Sequence, residues 1–107
     1  MAKSFDMNCP VAKTLDVVGE RWTLLILRDL FLFGPRRFKD FEGSLKGIAP
    51  NTLSARIKGL ERQEIIESRP YTNHPPRAEY ALTGKGQALG PVLMALKDWG
   101  ERFGKRT

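Results

Sequence analysis

Apolar residues recur at helical spacing over most of the chain and switch to alternation only between Ile65 and Leu82. The first periodic stretch, "CPVAKTLDVV", has Pro10 in its opening turn, Asn8 or Cys9 as N-cap, and Gly19 as its stop. In "ERWTLLILRDLFLF", Trp22, Leu25, Ile26 and Leu30 follow the i, i+3/i+4 pattern of a central core helix, which Gly34–Pro35 ends. "RFKDFEGSL" predicts a short helix with Phe38, Phe41 and Leu45 on one side, and Gly47 closes a tight connection.

A helix beginning near Pro50, with Ala49 at the N-cap, follows that turn. Its Leu53, Ile57 and Leu60 form a narrow buried stripe. At about 100° per residue the opposite face carries Asn51, Ala55, Lys58, Gly59 and Arg62, with Thr52 and Ser54 at its margins. "IIESRPY" and "RAEYAL" then read as the two strands of an isolated hairpin with "TNHPP" at its tip, and Pro70 suits an edge. In "TGKGQALGPVLMALKDWGERF", Leu89, Val92, Leu96, Trp99 and Phe103 make a stripe interrupted by a kink or break near Gly90, because Pro91 lies inside the pattern. The fold class is therefore mostly α with a small β-hairpin: a winged helix-turn-helix with additional helices at both ends.

The 107 residues suit one domain, spanning 8–103. A net charge of +6 favours a polyanionic partner, nucleic acid or an anionic membrane. No apolar run approaches the ~20 residues that span a bilayer, and "MAKSFDMNCP" is too polar for a signal peptide. The expectation is a soluble cytoplasmic protein without membrane association. One cysteine, Cys9, and one histidine, His74, leave no intrachain disulfide and no ligand set for a zinc cluster. No cofactor and no metal are expected, nor an enzyme: no nucleophile–base set and no glycine-rich phosphate loop after a strand can be found.

Three stretches resemble the HxlR-type bacterial transcriptional regulators: "CPVAKTLDVVGERWTLLILRDL", "GPRRFKDFEGSLKGIAPNTLSARIKGLERQEIIE" and "PPRAEYALTGKGQAL". They stand in the family's order and cover nearly the whole chain. The resemblance implies a dimeric winged helix bound to operator DNA, often near genes that answer oxidants or electrophiles. It also implies that some members sense through a cysteine preceding the proline of the first helix, a position matched by Cys9–Pro10. Ala49 departs from the family, which often has Ser there, and Ala55 replaces a longer polar residue; both bear on the operator sequence.

A helix in the major groove reads base edges with its N-terminal residues, here Asn51, Thr52, Ser54 and Ala55. Lys58 and Arg62 would reach phosphates, and Arg56, nearer the core boundary, would serve phosphate or structure. Arg36, Arg37 and Lys39 would clamp a phosphate at the start of the short helix, with its free N–H groups. Arg69, His74 and Arg77 flank the hairpin tip and would meet the minor groove or backbone, unless Arg69 or Arg77 pairs with Glu67 or Glu79. A purely solvated face remains the plain alternative for the whole set.

Cys9 lies at a helix start, where the dipole and Lys13 favour a thiolate; the alternative is a small residue filling the base of that helix. Leu15, Val18, Leu89, Val92, Leu96, Trp99 and Phe103 are assigned to a homodimer interface, with packing against the chain's own core as the alternative. The expected function is an operator-binding regulator acting as a homodimer on an inverted repeat, possible redox response included. The competing reading is a winged-helix module for protein or RNA contact. The sequence marks no small-molecule effector.

Overall fold

The computed structural model describes residues 9–73 and 76–105, with the side chains of 71–77 outside the description. Element order is α1 Pro10–Val18, α2 Arg21–Phe33, β1 Arg36–Arg37, α3 Phe38–Ser44, α4 Pro50–Arg62, β2 Ile66–Asn73, β3 Pro76–Leu82, α5 Gly84–Gln87 and α6 Gly90–Phe103. No helix among the described residues is long and apolar enough to cross a membrane.

α2 is the central rod. Ile26, Leu27 and Leu30 on one side of it are sealed from solvent together with Phe41 and Leu45 around α3, Leu53, Ile57 and Leu60 of α4, and Ile65–Ile66 at the base of the hairpin. Burying each such side chain removes apolar surface worth about 1.5–3 kcal/mol. The stripe expected on α4 is therefore the one that anchors it. Asp29, also fully buried, is held by Arg28 Nη2 at 2.9 Å and by the Ser44 hydroxyl, so its carboxyl is hydrogen-bonded from both α2 and α3.

Sheet order is β1-β3-β2, antiparallel throughout. The hairpin is thus not isolated: β3 is its middle strand, with Arg36 and Arg37 paired to Tyr80 and Glu79 on the far side. Two residues are too few for an alternating pattern, which is why β1 escapes the sequence. Pro70 does lie on an edge strand, β2, beside an irregularity between Pro70 and Thr72.

α4 ends in a tight hydrogen-bonded stop. Glu64 N donates to Glu61 O and Ile65 N to Leu60 O, both at 2.9 Å, the paired bonds of a Schellman cap. Glu64 takes the left-handed conformation (φ 62°) that usually belongs to glycine. Thr83 then ties this corner to the hairpin: its hydroxyl donates to Glu64 O at 2.6 Å and accepts from Gly86 N at 3.1 Å. Gly86 is required there, since a Cβ would come within 2.1 Å of Ile65 O. The break expected near Gly90 falls between α5 and α6, and Pro91 sits in the first turn of α6.

Candidate nucleic-acid interface

α3, the turn at Lys46–Gly47 and α4 form the helix-turn-helix, with Gly47 at φ 92° making the turn. Because Leu53, Ile57 and Leu60 face inward, α4 turns Asn51, Ala55, Lys58 and Arg62 to the solvent, and Thr52 and Ser54 lie half-buried at its edges. Asn51, Ser54, Ala55, Lys58 and Arg62 line one shallow open depression. Among the described residues neither Lys58 nor Arg62 is ion-paired. The face thus presents amide, hydroxyl and methyl groups near its N-terminal end and two uncompensated cations further along.

The other expected cations divide. Arg56 is half-buried with its Nε 2.9 Å from Glu20 Oε1, the structural one of its two expected roles. Glu20 is also the N-cap of α2 and accepts from Thr23 N at 2.9 Å. Partial burial pushes its carboxyl upward, but the Thr23 N–H, Arg56 and the Thr23 hydroxyl together hold it below its ordinary value.

Arg36 corrects the phosphate clamp expected at the start of α3. Its guanidinium turns inward over the Phe33 ring, 4.5 Å from the centroid, and donates to Asp40 O at 2.8 Å. One of the free N–H groups at that helix start is already used: Arg37 N donates to Asp40 Oδ2 at 2.9 Å. Strand pairing with β3 fixes Arg36 in this place, and no periodicity announced it. Arg37 stays on the surface 3.7 Å from Asp40, and Lys39 is exposed. Arg69 pairs with Glu67 on its own strand at 3.0 Å, both about half exposed, rather than across the hairpin. His74 lies outside the described residues, as does the side chain of Arg77.

Cys9 is the N-cap of α1, half-buried and a free thiol. Of the expected interface residues, Val18 belongs to the chain's own core at 4% exposure, and Leu89 packs against that core. Both were assigned by spacing, which cannot tell the two sides of a thin helical layer apart. Leu15, Leu96, Trp99 and Phe103 are exposed and Val92 is half-buried; the Trp99 and Phe103 rings meet tilted, with centroids 5.3 Å apart. Val11 and Met94, exposed on α1 and α6, extend this surface and were missed.

A helix-turn-helix with an outward cationic face, followed by a hairpin whose sheet β1 completes, is matched by the family model described as HxlR-like helix-turn-helix over residues 17–107. The chain belongs to the HxlR family. Its relatives include the HTH-type transcriptional regulator YdeP of Bacillus subtilis (strain 168), 38% identical over 99 residues that cover 92% of this chain and 77% of YdeP. The HTH-type transcriptional regulator Rv3095 of Mycobacterium tuberculosis (strain ATCC 25618 / H37Rv) is 43% identical over 93 residues, 87% of this chain but 58% of Rv3095. The chain therefore spans little more than half the length of that relative. Among solved structures, redox regulator HypR in its oxidized form superposes with a TM-score of 0.83 at 33% identity, covering 92% of this chain and 99% of HypR. As an HxlR-family protein the chain is a DNA-binding transcriptional regulator of the winged-helix class, a fold and kinship of regulators rather than enzymes. Cys9 precedes the segment that the family model matches.

Proposed function

We propose that the protein binds an inverted-repeat operator as a homodimer, with α4 of each copy in a major groove. Asn51 would read adenine through its amide, Thr52 and Ser54 would bond base edges, and the Ala55 methyl would meet a thymine methyl. Lys58 and Arg62 take phosphates on the same face, joined by Lys39 and Arg37 beside it. At the wing, Arg69, His74 and Arg77 meet the backbone or minor groove. The observation that carries this reading is the split of α4: its leucines and Ile57 are buried while Asn51, Ala55, Lys58 and Arg62 stand exposed together. Two recognition helices related by a twofold would meet half-sites about 34–36 Å apart.

Selection of bound duplexes from a random pool tests it. An inverted repeat should emerge, and Asn51→Ala should flatten the preference among operator variants while leaving nonspecific binding in place. An unchanged ranking with Asn51→Ala removes Asn51 from the base-reading set. Preference for single-stranded RNA over duplex DNA in the same assay favours the competing RNA module.

A second reading concerns regulation. The free Cys9 thiol at the start of α1 and the similarity to HypR, a redox regulator, support a redox response. With one cysteine per chain, two Cys9 thiols from two copies would lose two protons and two electrons to an oxidant such as a peroxide and join as an interchain disulfide. Oxidant that leaves both DNA affinity and the nonreducing mass unchanged would end this reading.

A further inference from the structure

Lys58 and Arg62 are unpaired among the described residues, but Arg56, on the same helix, is not. Its Nε lies 2.9 Å from Glu20 Oε1, the same oxygen that accepts from Thr23 N at 2.9 Å and from the Thr23 hydroxyl at 3.2 Å. One carboxylate oxygen therefore caps α2 and holds the middle of α4. The Arg56 N–H is not aimed along that line, so the contact is an ion pair rather than a directed hydrogen bond. It sits in a hollow where the α1–α2 corner, at Val17 and Gly19, meets α4, with Asp16 as the other carboxylate lining it.

Both partners are more than a third exposed, at 37% and 38%, so water screens the pair and its contribution to stability is small. Its geometric leverage is larger. A rise of about 1.5 Å per residue puts Asn51 about 7.5 Å along the axis from Arg56. A tilt of about 10° there moves Asn51 by about 1.3 Å, more than the ~0.5 Å range over which a hydrogen bond survives.

We infer that Arg56 is a positioning residue: paired with Glu20, it fixes the angle at which α4 leaves the α1–α2 corner, and thereby the discrimination between base sequences, without adding to the charge that binds phosphate. This rests on the DNA-reading role of α4 proposed above. The phosphate term comes from Lys58 and Arg62, and the Glu20–Arg56 strut governs how well Asn51 and its neighbours meet the bases.

Four variants of the full chain separate the possibilities: Glu20→Gln, which keeps an oxygen for the Thr23 N–H; Arg56→Met, which keeps the aliphatic stem; Arg56→Lys; and the double Glu20→Gln/Arg56→Met. Each is measured for affinity to a duplex selected by the wild-type protein and to a mixed-sequence duplex, across salt, with a thermal melt. Glu20→Gln and Arg56→Met should each narrow the selected-to-mixed ratio by about three- to tenfold, and the double variant should lose no more than either single one. The slope of log affinity against log salt should stay unchanged, and Arg56→Lys should keep most of the ratio. A slope shallower by about one unit in Arg56→Met with the ratio intact makes Arg56 a phosphate ligand and overturns the inference. So does an intact ratio, whether or not the melting temperature falls. If wild type binds no duplex, the reading of α4 fails and the strut with it; if Lys58→Ala flattens the slope but Arg56→Met keeps its discrimination, only the strut fails.

Discussion

At the scale of single residues, α4 is a helix with two unlike sides, and each side makes its own prediction. Leu53 is fully buried among α2 and α3 side chains, so Leu53→Ala should cost about 2–5 kcal/mol in denaturant unfolding. A loss under 1 kcal/mol would mean that the stripe is not the anchor. The two sides were legible in the sequence because Leu53, Ile57 and Leu60 repeat at helical spacing. Side-chain partners were not. Arg36 and Lys39 look alike in "GPRRFK", yet one is folded onto Phe33 and the Asp40 carbonyl and the other faces water. Arg56 lies nearer the core boundary than Lys58, but its partner, Glu20, is far away in sequence. Ion pairs between distant segments leave no local periodic mark.

The elements were legible where they are long and poorly so where they are short. α2, α4 and α6 each carry several turns of pattern; Pro50 opens α4 as the sequence predicts, and Pro91, which the pattern marks as a break in the last stripe, opens α6. β1 has two residues and no pattern, so the third strand, and with it the central position of β3, came only from the fold. The α4–β2 corner was also invisible in the sequence, because Glu64 occupies a left-handed position that sequence reading reserves for Gly or Asn. That conformation costs a residue with a Cβ about 1 kcal/mol. Glu64→Gly should therefore stabilise the chain by about 0.5–1 kcal/mol, since the cap uses only main-chain N–H groups of Glu64 and Ile65. A clear destabilisation in equilibrium unfolding would show that the Glu64 side chain contributes more than its backbone strain removes.

For the whole molecule, the large exposed apolar side chains gather on α1, the end of α2 and α6. α6 buries none of its residues fully; Met94, Leu96, Trp99 and Phe103 are exposed, and Leu96 lines a hollow with Val11 and Leu15 of α1. That is more apolar surface than a small solitary domain usually shows, and a second copy covering it is the arrangement that an inverted-repeat operator requires. Sedimentation should give twice the chain mass of 12.1 kDa, and Leu96→Glu should shift it to the single-chain value; a monomeric wild type would remove the dimer from the account. The central claim is that the exposed face of α4 is a DNA surface, and the salt dependence of duplex binding tests it most directly. Each phosphate neutralised contributes about −0.9 to the slope of log affinity against log salt. Wild type should bind a mixed-sequence duplex at low salt with a steep linear decline, and Lys58→Ala should decline about one unit less steeply. Absence of duplex binding at low salt, or the same slope in both proteins, would contradict it.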